Sequence, residues 1–311
     1  MLSHFVEWAM ARQVVSAPQT AARGALVGAS AGPGFPTGPS AGDASSLAVG
    51  ATDDEVERSD RFGRIGLSLT VLGTLVLVVG VVFRGFAASR VPWGNMYEFS
   101  TTGCVAVAAA YLFLVRRYAV RWLGIAVTSF LVIVLGIAVV IFYRPVSPLV
   151  PALHSYWLAI HVSAAAIAGG AYTVGALASV LYLMRRRAEN RVAADPQIPR
   201  NGFIWRTPPA ETVDRVAYRV IAFAFPVWTF AVMAGAIWAQ YAWGRFWGWD
   251  PKEVWAFITW VAYAAYLHAR ATAGWQGKAA AYVCLLGYST FLFNFIGINL
   301  FGSGLHSYAG M

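Results

Sequence analysis

Charge is what this chain has least of. Asp, Glu, Lys and Arg supply 12% of its 311 residues, against about 25% in soluble domains. Hydrophobic residues supply 59%, and the mean hydropathy is +0.59. That balance excludes a soluble enzyme and indicates a polytopic membrane protein. Acidic residues are scarcer than basic ones, 14 against 23, leaving a net charge of +9. The excess does not point to nucleic acid, because the arginines gather in two short loops between apolar runs, as cytoplasmic loops do. Cysteine is also scarce: Cys104 and Cys284 both lie within apolar runs. No C-x-x-C is present, which excludes a thioredoxin-like motif, and no C-x-x-C-H, which excludes covalent haem attachment to the chain itself. The two thiols read as inert and buried.

Long hydrophobic runs are abundant beyond the amino-terminal region. Residues 1–52 are rich in Ala, Gly, Ser and Pro, too poor in apolar surface to offset their ordering entropy. With the charged stretch that follows, residues 1–63 read as a disordered cytoplasmic tail, and no cleaved signal peptide is expected. Residues 64–311 form the membrane domain. Seven apolar segments, at about 65–85, 99–115, 122–143, 157–184, 218–240, 255–272 and 279–301, are each long enough to cross a hydrocarbon core of ~30 Å. The expected fold is therefore an all-α, polytopic membrane bundle of about seven helices. Thr101, Thr102 and Gly103 suggest close helix packing in the second span, and Pro226 suggests a bend in the fifth.

Loop charges set the orientation. Residues 116–121 carry three arginines, and residues 185–219 carry eight against four acids. Both loops belong inside, which puts the amino terminus in the cytoplasm and the carboxyl terminus outside.

The densest chemistry lies in an external segment, 241–255, that leads into the sixth span. From Trp243 to Trp260 the chain reads W-G-R-F-W-G-W-D-P-K-E-V-W-A-F-I-T-W, with five tryptophans in eighteen residues. Asp250, Pro251 and Glu253 have a local meaning as N-cap, N1 and N3 of a capping box. That reading leaves Trp243, Trp247 and Trp249 unexplained. An aromatic girdle would distribute its rings over every interface, whereas the other external loops hold few. The pattern favours a shelf for a large planar ligand, with Trp255 beside it, over the girdle as the alternative.

Of five histidines, His161 lies near the external end of the fourth span and His306 beyond the seventh, where the G-S-G at 302–304 lets the chain fold back. Two histidines over tryptophans suit axial ligation of a haem; zinc would want a third or fourth ligand. His268 lies thirteen residues past Trp255, roughly 20 Å deeper, too far to share their iron. His154 is a spare external candidate, and His4 reads as idle. Arg245 and Lys252 are either propionate contacts or interfacial anchors.

The tryptophan segment resembles the signature of haem-handling proteins in cytochrome c biogenesis, and its K-E-x-W-A-x-I-T-W continuation is similar to the CcsA/ResC branch of system II. Three more stretches carry the resemblance: W-G-N-M-Y-E-F at 93–99, S-Y-W-L-A-I-H-V at 155–162 and N-F-I-G-I-N-L-F-G-S-G-L-H-S-Y at 294–308. It covers about residues 65–308. It implies a multi-pass protein of the cytoplasmic (inner) membrane that binds haem b. His161 and His306 are implied to be axial ligands of an external haem. His268 is implied to ligate a haem within the membrane, with its partner histidine on a CcsB/ResB-type protein. The implied activity is a cytochrome c synthase component that presents haem to the C-x-x-C-H of an apocytochrome c, whose thiols a thiol-reducing protein keeps reduced. A membrane b-type cytochrome carrying electrons and a haem transporter are the alternatives. The first would want histidines paired at matched depths on facing helices, and the second internal repeats.

Overall fold

The computed structural model describes residues 53–147, 155–272, 274–302 and 304–306, with side chains from residue 60 onward. His4 and His154 lie outside the described residues, as does most of the tail. The helices are α1 (Asp53–Ala88), α2 (Met96–Arg117), α3 (Gly124–Val140, entered through a 3-10 turn at Arg121–Leu123), α4 (Tyr156–Ala194), α5 (Ala210–Trp243) and α6 (Pro251–Thr272). Then α7 (Lys278–Leu292) runs through a π turn at Phe293–Gly297 into the short α8 (Ile298–Phe301). No strand occurs among the described residues.

A helix stands at each of the seven expected spans. Six are long and apolar enough to cross a bilayer; the chain is an all-α, multi-pass membrane protein. The seventh, α6, has 22 residues but carries Lys252, Glu253, His268 and Arg270, which lower its hydropathy. Several helices outrun the apolar stretches that mark them. α4 continues ten residues past the expected 184, to Ala194. There Arg185 pairs with Glu189 at 2.9 Å, a helix-supporting i,i+4 pair, and the Arg185 guanidinium lies 4.3 Å from the Trp205 ring centroid. Hydropathy reports where lipid ends, not where the helix does.

α4 is the axis of the bundle, and a run of small residues makes that possible. At Gly170 a Cβ would stand 2.8 Å from the Ala106 backbone of α2, and at Gly169 2.5 Å from the Phe291 ring of α7. Such close approach is the usual device for joining helices where no hydrophobic effect drives them together. Gly103, expected to serve this way, faces open space; α2 makes its close contact one turn later, at Ala106. Below the contact, Tyr172 of α4 stacks on Tyr263 of α6 with centroids 3.8 Å apart, and Trp228 and Phe291 meet Tyr172 edge-on. α1 is peripheral and turns Leu72, Leu75 and Val76 outward, as a lipid-facing helix does.

The two ends differ in chemistry. At one, Arg121 reaches Asp60 at 3.3 Å, and Arg270 of α6 grips Asp214 of α5 through two bonds of 2.8 and 2.9 Å. At the other, Glu98 is fully buried, accepting from Arg84 at 3.0 Å, Arg90 at 2.7 Å and the Gly94 N–H at 2.8 Å. This cluster fixes the 89–98 segment, and so Trp93, against the top of α2.

Candidate functional site

Trp243 closes α5. Gly244 follows in the left-handed conformation (φ 71°), and its N–H caps the Gln240 carbonyl at 3.0 Å, the usual device for ending a helix. Six residues later α6 begins with the expected capping box. Asp250 accepts from the Lys252 N–H at 3.1 Å, and Glu253 reaches back to the N–H groups of Asp250 (3.0 Å) and Gly248 (2.8 Å).

Asp250 has a second role that capping does not predict. Its other oxygen accepts from the Leu305 N–H at 2.8 Å, and its Oδ1 meets His306 Nδ1 at 2.9 Å. The segment beyond α8 thus folds back onto the start of α6. Gly304 permits it, because a Cβ there would strike the Asp250 carboxylate. A carboxylate only accepts, so the His306 proton sits on Nδ1 and the lone pair on Nε2. Burial pushes the imidazole down from its ordinary 6.5 to about 4, although Asp250 pulls the other way. Burial also works against the Asp250 charge, yet His306 and the Leu305 and Lys252 N–H groups hold its carboxyl below the usual range. The pair therefore stands near neutral pH as carboxylate and neutral imidazole.

His161 is set the same way by different means. Near the start of α4, its Nδ1 donates to the Ala231 carbonyl of α5 at 2.7 Å. A carbonyl oxygen only accepts, so here too the lone pair belongs to Nε2. Gly235 makes the approach possible: a Cβ there would lie 2.7 Å from two atoms of the His161 ring. A histidine whose Nδ1–H is held by a carbonyl or carboxylate has the arrangement found at metal-bound imidazoles.

Both rings line one cavity, with Trp93, Trp228, Trp238 and Trp247 on its walls and Lys252 and Asn294 among its polar groups. Trp238 links the pair, lying parallel to His161 (centroids 6.1 Å, 13°) and edge-on to His306 (5.5 Å). The other expected residues fall around this cavity rather than in it. Trp243 packs edge-on against His306 at 4.6 Å. Trp255 packs on Phe293 at 4.2 Å. Trp249, with a left-handed φ of 58°, is 67% exposed. Arg245 lies 3.6 Å from Glu253. His268 is exposed on α6, one turn from its far end, away from the other two histidines.

Trp228, Trp238 and Gly235 sit in uniformly apolar runs, where nothing in the sequence marks one face from another. Trp93 and Asn294 were available in the W-G-N-M-Y-E-F and N-F-I-G-I-N-L-F stretches. The donor set suits a metal already held in a planar macrocycle: two neutral imidazoles over aromatic walls. A bare zinc ion wants three or four donors, and among the described residues no three His, Cys, Asp or Glu side chains converge for one.

Comparison with known proteins is consistent along the chain. Residues 93–306 match the family model described as cytochrome C assembly protein. Relatives that carry the name cytochrome c biogenesis protein CcsA include the following three. That of Guillardia theta is 34% identical over 256 residues, covering 78% of this chain and 85% of its own. That of Porphyra purpurea is 32% identical, covering 81% and 89%, and that of Prochlorococcus marinus 35% identical, covering 77% and 82%.

Proposed function

The chain belongs to the cytochrome c assembly protein family, and from that membership we propose that it is the membrane subunit of a system II cytochrome c synthase. In this role it binds haem b, presents it at the external face of the cytoplasmic membrane, and promotes its attachment to the C-x-x-C-H of apocytochrome c. One observation carries the reading: His161 and His306, from distant parts of the chain, line one tryptophan-walled cavity with Nδ1–H of each already committed.

His161 and His306 would hold the iron of a bound haem through Nε2 and would keep dioxygen from it. Trp93, Trp228, Trp238 and Trp247 cover the faces of a flat ring and exclude water. Haem brings its two vinyl groups: each cysteine S–H adds across one C=C, forming a C–S and a C–H bond with no leaving group and no net redox change. The protein contributes position, holding the reacting edge where two thiols of an external polypeptide reach it. A thiol-reducing protein keeps those thiols available.

His268 serves a separate step. A polar ring on the outer face of a membrane helix needs a partner, and its exposure on α6 suits a second chain of the CcsB/ResB type that contributes the other ligand to a haem within the membrane.

The test is holocytochrome formation by His161→Ala and His306→Ala. Each is expected to abolish it, and added imidazole to restore part of it by filling the vacated position. Full activity of either variant without imidazole overturns the assignment.

A further inference from the structure

The cavity has a polar corner that the paired histidines do not use. Lys252 lines it, and its ammonium donates to Asn299 Oδ1 at 2.7 Å. Asn299 is held in turn by its own Nδ2–H to the Phe295 carbonyl. Among the described residues no carboxylate lies within ion-pair distance of Lys252. An ammonium has three donors, and its one partner here is a neutral amide. Of the nearby acids, Asp250 is engaged by His306, Leu305 and the cap, and Glu253 Oε2 by Arg245 and two backbone N–H groups, while Glu253 Oε1 is buried without a hydrogen-bond partner.

Asn294 stands in the same cavity wall. It is 8% exposed, and its Oδ1 is buried without a hydrogen-bond partner. The two ends of a side-chain amide are interchangeable, so Asn294 can offer a buried donor as readily as an acceptor. The π turn at Phe293–Gly297 accounts for the pairing of the two asparagines. Its wider i→i+5 bonding brings residues five apart one turn above each other, and such turns recur at functional sites. Asn294 and Asn299 both line the cavity as a result.

A half-buried cation and a buried amide, each short of partners among the described residues, describe a site for an anion. We propose that Lys252, Asn294 and Asn299 form a carboxylate-recognising corner, so that the cavity takes a ligand with acidic groups on one edge and an apolar flat body against the tryptophans. This rests on the haem reading and deepens it: the propionate edge is held between the π turn and the start of α6, and the choice of edge fixes which groups remain for the incoming thiols.

The probes are haem b and its dimethyl ester, titrated separately into the purified full chain in detergent and followed by the Soret band. The wild-type chain is expected to bind the free acid about tenfold or more tighter than the ester, the worth of a charge-assisted contact. Lys252→Met and Asn294→Leu should erase that preference by weakening the acid alone, and Lys252→Arg should keep it. Equal wild-type affinity for acid and ester, with a bis-histidine spectrum in both, overturns the corner and leaves the haem reading standing. Equal weakening of both compounds by Lys252→Met makes the lysine a structural residue and also overturns it. No bis-histidine spectrum with either compound overturns the haem reading, and the corner with it. The wild-type comparison requires no variant to fold.

Discussion

Asp250→Asn separates two roles that one side chain performs. Oδ1 of the carboxylate serves the Lys252 N–H and His306, and Oδ2 serves Leu305. An asparagine has a single oxygen. Placed at the Oδ1 position it keeps the helix cap but turns its amide N–H₂ on the Leu305 N–H, donor against donor. Placed at the other it abandons both the cap and the His306 proton, and the imidazole is no longer held with its lone pair on Nε2. Either way the charge-assisted bonds go, each worth about 1.5–3 kcal/mol. Haem affinity should fall roughly tenfold to a hundredfold. The helix start should survive, because Asn caps as well as Asp; Asp250→Ala should lose about 1 kcal/mol of capping as well. The assay is a haem titration of wild type, Asp250→Asn and Asp250→Ala, with helix content by circular dichroism. If Asp250→Asn binds haem within twofold of wild type while Asp250→Ala does not, Asp250 is a helix cap alone and the anchoring of His306 is refuted.

Gly235→Ala should displace the His161 ring, since the new methyl would lie 2.7 Å from it; loss of the bis-histidine spectrum, partly restored by imidazole, checks this, and an unchanged spectrum refutes it. Trp238→Ala, which removes a ring between the two histidines, should lower haem occupancy severalfold, whereas Trp249→Ala, on a ring 67% exposed, should leave it unchanged; equal effects would return the cluster to a girdle. Because His306 is held down from 6.5 to about 4, docking of its segment favours the neutral ring. That contribution is complete above about 6.5 and is lost as pH falls towards about 4, so a haem spectrum that weakens on raising the pH contradicts it. His268→Ala should cost one haem per complex when the chain is co-expressed with a CcsB/ResB-type protein; an unchanged count leaves His268 a packing role.

Hydropathy was enough to read the helical membrane bundle, because crossing lipid demands long apolar runs whatever else they do. The capping box was equally legible, since it is written in four consecutive residues. The wall of the cavity was not. Trp228 and Trp238 are indistinguishable by pattern from lipid-facing neighbours in α5, and only the docking of α4 decides which ring points inward. Trp247 and Trp249, two residues apart, part company because the backbone turns left-handed at Trp249, a conformation rare for a bulky residue. The double duty of Asp250 needs the chain beyond α8 to return across more than fifty residues, which no local signal encodes.

The two histidines are mounted unequally. His161 is built into the most enclosed helix of the bundle and bonded to the backbone of its neighbour, so moving it means disturbing the packing of α4 on α5. His306 sits past the end of the last helix, on a segment that Asp250 holds by two hydrogen bonds. A cargo that must be surrendered wants such lopsidedness. In the proposed role, the histidine of an arriving C-x-x-C-H would meet its weakest competitor at the His306 side, and hand-over would have a direction: released from the strap, still steadied by the post.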